Sequence, residues 1–182
     1  MGVKKTIVGL ERAYTLIIIF SLLMVFFIKH EVNYLIFAIA LGLNSIFNQV
    51  LKNFVFMGLM GSKEFPLLGR GKRPKGAKDC GDFIDVDSRE STTYGMPSGH
   101  SSFAAFFATV MVNQILDEDY SDNLKLLKIL IVVSTSGLIM FSRINLGCHT
   151  PQQVFIGGIL GCIFGHLYHS NLDKIKSFLK IN

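Results

Sequence analysis

Long apolar segments recur along this chain, and they limit its possible folds more than any other feature. Five stand out in the 182 residues, at about 13–28, 32–56, 101–116, 124–140 and 154–168. A helix needs about 20 mostly apolar residues to cross the hydrocarbon core of a bilayer, with a range of roughly 17–25. Several segments reach that length only with their flanks. Spanning strands would need a closed barrel and an alternating pattern, and no alternation is present. The segments therefore read as helices. The expected fold is all-α, a polytopic membrane bundle of about five transmembrane helices in a single domain, residues 1–182. Half of the residues are hydrophobic, the mean hydropathy is +0.45, and Phe occurs 16 times while Trp is absent, as suits lipid-facing helices. Lys4 and Lys5 precede the first segment, which lacks a short apolar core ending in a small-residue cleavage site. It reads as a retained span rather than a cleaved signal.

The connections differ sharply. Lys29-His30-Glu31 is a tight polar turn, residues 117–123 are an acidic loop, and residues 58–97 are a long polar insert with three of the four prolines. A loop that long in a compact protein is usually functional or disordered. If all five segments span, the insert, the N-terminus and the stretch 142–149 share one membrane face, and the acidic loop and C-terminus share the other.

The formal charge of +5 is carried by basic residues lying between apolar runs. That placement suits anionic lipid head groups or a phosphate substrate better than nucleic acid. The three cysteines, Cys80, Cys148 and Cys162, are odd in number and have no metal-ligand spacing, so neither a disulfide framework nor a zinc site is expected. Cys148 reads as a packing residue. No feature sets an oligomeric state.

Three clusters carry chemistry. Pro97-Ser98-Gly99-His100 opens the third apolar segment. Ser98 is a good N-cap, and Gly99 lets a phosphate approach the helix N-terminus, whose N–H groups and dipole favour anions. His100 then sits beside any bound phosphate; alone, this cluster is equally an ordinary capped helix. Arg143 closes an otherwise apolar helix, where an arginine is costly unless it meets a partner, a watery cavity or the interface. A phosphate matches its planar fork. His149 follows, with Pro151 suited to opening the next helix. Gln153 lies one turn on, where its amide oxygen can accept the imidazole N–H and leave the other ring nitrogen free to attack. The third cluster is Arg73-Pro74, with Lys52 upstream.

Phosphoryl transfer needs cations around the non-bridging oxygens, with a nucleophile and an acid flanking the phosphorus. Lys52, Arg73 and Arg143 supply the cations, with Ser98 and Gly99 at the helix N-terminus. His149 is the candidate nucleophile, forming a phosphohistidine, and His100 the candidate acid. No carboxylate cluster adjoins them, so no metal or cofactor is expected.

Arg73-Pro74, Pro97-Ser98-Gly99-His100 and Ser142-Arg143 with His149 resemble the three-part signature of the type 2 phosphatidic acid phosphatase family, which includes lipid phosphatases and vanadium haloperoxidases. The resemblance covers about 48–158. It implies an all-helical membrane fold, metal-independent hydrolysis of a lipid phosphate or diphosphate, and the histidine roles above. Two positions depart from the family pattern. Its lysine usually stands seven residues before the Arg-Pro arginine, and Pro66 stands there instead. Asn48-Gln49-Val50-Leu51-Lys52 looks like the lysine-bearing helix with an insertion after it, and Lys63 and Lys72 are rivals. The family commonly has Asp where this chain has Gln153, and glutamine is similar to the glucose-6-phosphatase and dolichyl-diphosphatase branches. Tyr94-Gly95-Met96-Pro97 and His149-Thr150-Pro151 also resemble the latter branch, which favours a polyprenyl diphosphate over phosphatidate. Competing readings are a phosphotransferase acting on lipid phosphates and a catalytically inactive lipid-binding membrane protein.

Other features are discounted. His166 and His169, taken to have no nearby carboxylate, read as interfacial. Asp82, Asp85 and Asp87 read as a solvated loop, and Lys174, Lys176 and Lys180 as a surface-lying tail. More Lys and Arg lie on the catalytic face than opposite, which by the positive-inside rule turns that face to the cytoplasm.

Overall fold

A computed structural model describes residues 2–78, 80 and 93–180, with residues 2–12 described by backbone alone. Its long elements are five helices. They are α1 (Gly2–Lys29), α2 (Val32–Met60), α3 (Gly99–Asp117), α4 (Asp122–Asn145) and α5 (Pro151–Ser170), with a short α6 (Leu172–Phe178) after them. Each contains one of the five apolar segments, and all but α2, which starts with its segment at Val32, extend past it at both ends. The turn after α1 forms at His30, whose φ of 56° reverses the chain. The residues Asp82, Asp85 and Asp87 lie outside the described residues.

Helix α2 widens to π-helical geometry over Leu51–Phe56 before a last α-turn at Met57–Met60. Such a local widening inserts an extra residue into a helix and is frequent at functional sites. The polar insert also contains a small antiparallel hairpin, β1 (Glu64–Phe65) and β2 (Gly69–Arg70), in which Glu64 faces Arg70 and Phe65 faces Gly69.

The side-chain distribution is inverted relative to a water-soluble bundle. On α4 the buried residues are Ser136, Ser142 and Arg143, while Leu126, Leu130, Ile131, Leu138 and Phe141 are exposed. On α5 the inward face is Gly157, Gly161 and Gly165, and the outward face is Phe155, Ile159, Ile163 and Leu167. In water such a continuous apolar exterior would drive association; in hydrocarbon, large apolar groups belong outside and small ones between helices. Among the described residues, two helices, Val32–Met60 and Asp122–Asn145, are long and apolar enough to cross a membrane.

Helices α3 and α5 form the closest pair. A Cβ on Gly157 would run into the carbonyl of Ser98, and one on Gly161 into the carbonyl of Ser102. At Gly165 it would lie 2.9 Å from the Phe106 carbonyl. Three glycines four residues apart thus let two backbones touch, which places the start of α5 beside the start of α3. Away from that contact the core is aromatic. Phe37 stacks on Phe107, Phe106 and Tyr168 with ring centroids 5.9, 6.4 and 5.9 Å apart. At the same end His169 meets Asp117 at 3.1 Å, which corrects the reading of this histidine as having no carboxylate near it. Helix packing brings Asp117, 52 positions away, to its side.

The cysteine reading is also corrected. Cys80 and Cys148, 68 positions apart in sequence, form a disulfide with Cα atoms 5.5 Å apart. Cys162 stays free and exposed. The odd count concealed a pair that topology brings together, since the insert folds back over the α4–α5 connection.

Candidate active site

Helix α5 is started by a capping box. The Thr150 hydroxyl accepts from Gln153 N at 3.3 Å, and Gln153 Oε1 accepts from Thr150 N at 3.3 Å, with Pro151 at the first helical position. The box fixes Gln153, which is fully buried, and with it His149. Gln153 Oε1 also lies 3.0 Å from His149 Nδ1. Its amide nitrogen donates to the carbonyls of Arg70 and Lys72, each at 2.9 Å. Three carbonyls surround that nitrogen, counting Gly71 at 3.4 Å, so the amide has one sensible orientation. Oε1 must then be the acceptor, His149 Nδ1 must carry the proton, and Nε2 presents its lone pair. Gly95 makes room for this arrangement, because a Cβ there would stand 2.6 Å from Oε1.

The lone pair of His149 Nε2 accepts from Arg73 Nη1 at 2.9 Å. The same nitrogen of Arg73 donates to the Cys148 carbonyl at 3.0 Å, and Nε donates to Thr93 Oγ1 at 3.0 Å. Arg73 is thus held against the candidate nucleophile from both sides. Burial lowers its pKa to about 10, helped by the neighbouring charge of Arg143, so it remains cationic at neutral pH. His149 is pushed well below the ordinary histidine value, first by burial, then by the charges of Arg73, Lys52 and Arg143. It is therefore neutral at pH 7, as a nucleophile requires.

A cavity of about 210 Å³ opens beside His149, and Lys52, Arg73, Gly99 and His100 line it with Asn48. Lys52 is 6% exposed and enters from the π-helical segment, whereas Lys63 and Lys72 are exposed and line no part of the cavity. Ser98 caps α3 through its side chain, accepting from Ser101 N at 3.4 Å. Its own N–H donates to the Gln153 carbonyl at 3.0 Å, so it secures α3 to α5 behind the cavity. Gly99 and His100 occupy the first turn of α3, at the positive end of the helix dipole.

Arg143 lies behind this wall. It is fully buried, and its Nη2 donates to the Cys80 carbonyl at 3.0 Å. Its carbonyl accepts from His149 N and Cys148 N, each at 3.1 Å. The structure therefore gathers Lys52, Arg73, Gly99, His100 and His149 around one space. Gln153 and Ser98 support them, and Arg143 contributes charge from the second layer.

Four residues carry roles that the sequence reading did not assign. Asn48 and Thr93 line the cavity, Gly95 admits Gln153, and Cys80 ties the insert to Cys148. Asn48 was within reach, since it stands one helical turn before Lys52. Thr93 and Cys80 had no signal, because their neighbours come from distant parts of the chain.

A cavity with a neutral, oriented imidazole, two cations and a second histidine at a helix N-terminus can accept a phosphate ester and move a proton to its leaving oxygen. Among the described residues no group of three His, Cys, Asp or Glu side chains is arranged to hold a metal ion. The sequence profile of the PAP2 superfamily matches residues 33–176. Dolichyldiphosphatase 1 of Dictyostelium discoideum is 35% identical over 86 residues, covering 46% of this chain and 38% of that protein. The dolichyldiphosphatase of Saccharomyces cerevisiae (strain ATCC 204508 / S288c) is 29% identical over 161 residues, covering 86% of this chain and 59% of that protein. The chain thus spans less than two thirds of either relative. No solved structure matches it.

Proposed function

The chain belongs to the PAP2 superfamily, and on that premise we propose that it is a multi-pass membrane phosphatase that hydrolyses a lipid diphosphate of the polyprenyl type. The observation that carries the reading is the chain of contacts from the Arg70 and Lys72 carbonyls through Gln153 to His149 and on to Arg73. It leaves His149 Nε2 as a neutral nucleophile facing a cationic cavity. The names of the two relatives favour a polyprenyl diphosphate, and the glutamine at 153 agrees.

In the proposed reaction the terminal phosphate enters between Lys52 and Arg73, and Arg73 transfers its hydrogen bond from Nε2 to a phosphate oxygen. His149 Nε2 attacks phosphorus and the bond to the bridging oxygen breaks. His100 gives its proton to that oxygen, so the lipid monophosphate leaves. His100 then takes a proton from water as the water attacks the phosphohistidine, releasing inorganic phosphate and restoring both histidines. Lys52 and Arg73, with Arg143 behind, offset the charge spread over the non-bridging oxygens. This charge comes from side chains, so the reading needs no metal.

Five long helices with apolar exteriors support a bundle crossing the bilayer five times, with the cavity near one surface. Two signals for its orientation oppose each other. The charge bias points this face to the cytoplasm, but its cations are committed to the site and so are poor topology markers. The Cys80–Cys148 disulfide belongs in an oxidising compartment, and on that ground we place the catalytic face away from the cytoplasm.

The test is phosphate release by the purified protein in detergent, with chelator present, from a polyprenyl diphosphate, a polyprenyl phosphate and phosphatidate. Release from the diphosphate, fastest of the three, is expected. Activity abolished by the chelator, or none on any substrate, would sink the reading.

A further inference from the structure

The hairpin of the polar insert ends in an apolar tip. Phe65 pairs with Gly69 across β1 and β2, so the loop between them is Pro66-Leu67-Leu68. Turns in water are dominated by Gly, Pro, Asn, Asp and Ser; here two leucines follow the proline. Leu67 is 90% exposed, more than any other large hydrophobic side chain among the described residues, and Leu68 is 38% exposed.

The place of the tip in the fold says what covers it. Phe65 packs on the cluster of Met60, Tyr94 and Met96, which Phe56 and Ile156 also join. A Cβ on Gly69 would meet the Gln152 side chain at 3.2 Å. The pair that closes the loop therefore sits level with the last turns of α2 and the start of α5, and the tip projects from the rim of the bundle at that height. The exteriors of those same turns are apolar: Met57 and Leu59 of α2 and Phe155 of α5 are exposed. The tip thus extends the surface that the bundle turns to lipid. Cations flank it, with Lys63 before and Arg70 and Lys72 after, against Glu64 alone. Lys63 and Lys72 are exposed and line no part of the cavity. Amphipathic segments of this kind bury their apolar groups about 5–10 Å into the boundary between head groups and acyl chains, where lysines meet anionic lipid.

We propose that the tip Pro66-Leu67-Leu68 docks into the bilayer interface beside the cavity, with Leu67 among the upper acyl carbons and Lys63 and Lys72 against anionic lipid head groups. The proposal rests on the reading of the chain as a membrane protein and is independent of the reaction assigned to it. Its consequence reaches the site, because the carbonyls of Arg70 and Lys72 hold Gln153. The bilayer thereby anchors the segment that orients His149.

The chain has no tryptophan, so a single introduced one reports its own position. The full chain carrying Leu67→Trp is reconstituted into phosphatidylcholine–phosphatidylglycerol vesicles, with or without bromine near the head-group end of the phosphatidylcholine acyl chains. Leu59→Trp, on the exposed side of α2, is the reference. At both positions the expected emission is blue-shifted, quenched by the brominated lipid and untouched by aqueous iodide. Adding Lys63→Gln and Lys72→Gln to Leu67→Trp should weaken docking by about fivefold per lysine, read as lost lipid quenching and gained iodide quenching. An unchanged signal in that variant would overturn the head-group contacts. Iodide quenching alone at 67, with lipid quenching kept at 59, would overturn the docking and leave the membrane reading standing. Blue-shifted emission at 67 that neither quencher reaches would place the tip against protein, a second copy included, and would also overturn it. Lipid quenching at neither position would reject both readings.

Discussion

Gln153 Oε1 sits 3.0 Å from His149 Nδ1, and its amide nitrogen is clamped by the carbonyls of Arg70 and Lys72. The hairpin strand β2 therefore decides which ring nitrogen of a histidine 79 positions after Arg70 carries the proton. This is an orienting device without a carboxylate. It sets the tautomer but adds no negative charge to stabilise an imidazolium.

Removing the orienting group should cost rate more than binding. Gln153→Ala is expected to lower kcat by about a hundredfold, the scale of a misplaced catalytic group, with KM nearly unchanged. Gln153→Glu should differ, because a carboxylate repels the carbonyls of Arg70 and Lys72 yet raises the His149 pKa. Its acid limb in kcat/KM should move to higher pH. Steady-state kinetics across pH for both variants would show this, and wild-type kcat in the alanine variant would refute the orienting role.

The pH dependence has a definite sign. His149 in the folded protein lies well below its ordinary value, through burial and then the charges of Arg73, Lys52 and Arg143. Its free base therefore persists into acid, and any acid limb it sets in kcat/KM should fall below about pH 6.5. The stability term runs the same way. The unfolded chain protonates His149 as pH falls through about 6.5 while the native chain does not, so native stability is lost as pH drops from there toward the folded pKa. Melting temperature followed from pH 7.5 to 5 should show a decline that His149→Gln lessens. An identical decline in that variant would contradict the assignment.

Lys52, and neither Lys63 nor Lys72, should matter for phosphate. Lys52→Ala is expected to reduce kcat/KM by about a hundredfold or more, as for loss of a buried charge-assisted contact, while Lys63→Ala and Lys72→Ala change it less than about threefold. Equal effects at all three positions would remove the argument from the π-helical segment.

The disulfide should be stabilising and detectable. In the native protein a thiol reagent is expected to label Cys162 alone, with Cys80 and Cys148 labelled after reduction. The chain-entropy estimate for a loop of this length is about 4 kcal/mol. Cys80→Ser should therefore lower the melting temperature and loosen the insert over Arg143, whose Nη2 is held by the Cys80 carbonyl. Three labelled thiols without reduction would contradict both the pairing and the orientation drawn from it.

The glycine face of α5 sets the distance between the two histidine-bearing helix starts. Gly161→Leu would push on the Ser102 backbone, and overpacking of a tight contact costs about 1–3 kcal/mol or more. Both stability and activity should fall. Gly58, with open space around it, provides the control: Gly58→Ala should be silent in a thermal melt.

The five helices were legible because apolar segments of near-spanning length announce themselves, and their ends only had to grow into polar flanks. His149, His100, Arg73 and Lys52 were singled out by their residue types and by the resemblance to a known signature, and the structure lines one cavity with all four. What the sequence concealed depends on contacts across the fold. The Cys80–Cys148 pair and the His169–Asp117 contact join positions 68 and 52 apart, and nothing local marks either. From its place at the end of an apolar helix, Arg143 reads as a phosphate-binding cation. Its position behind the wall depends on the insert packing over it, which no local pattern specifies. The glycines at 157, 161 and 165 drew no reading from the sequence, because only the backbone of α3 against them gives them meaning.

The most direct measurement is to trap the intermediate. Acid- and base-stability of the phosphoenzyme, followed by mass-spectrometric mapping after rapid quench during diphosphate turnover, would locate the transferred phosphate. An acid-labile, base-stable phosphate is expected on His149 and absent in His149→Ala. A phosphate on any other residue, or undiminished phosphate release by His149→Ala, would contradict the role of His149.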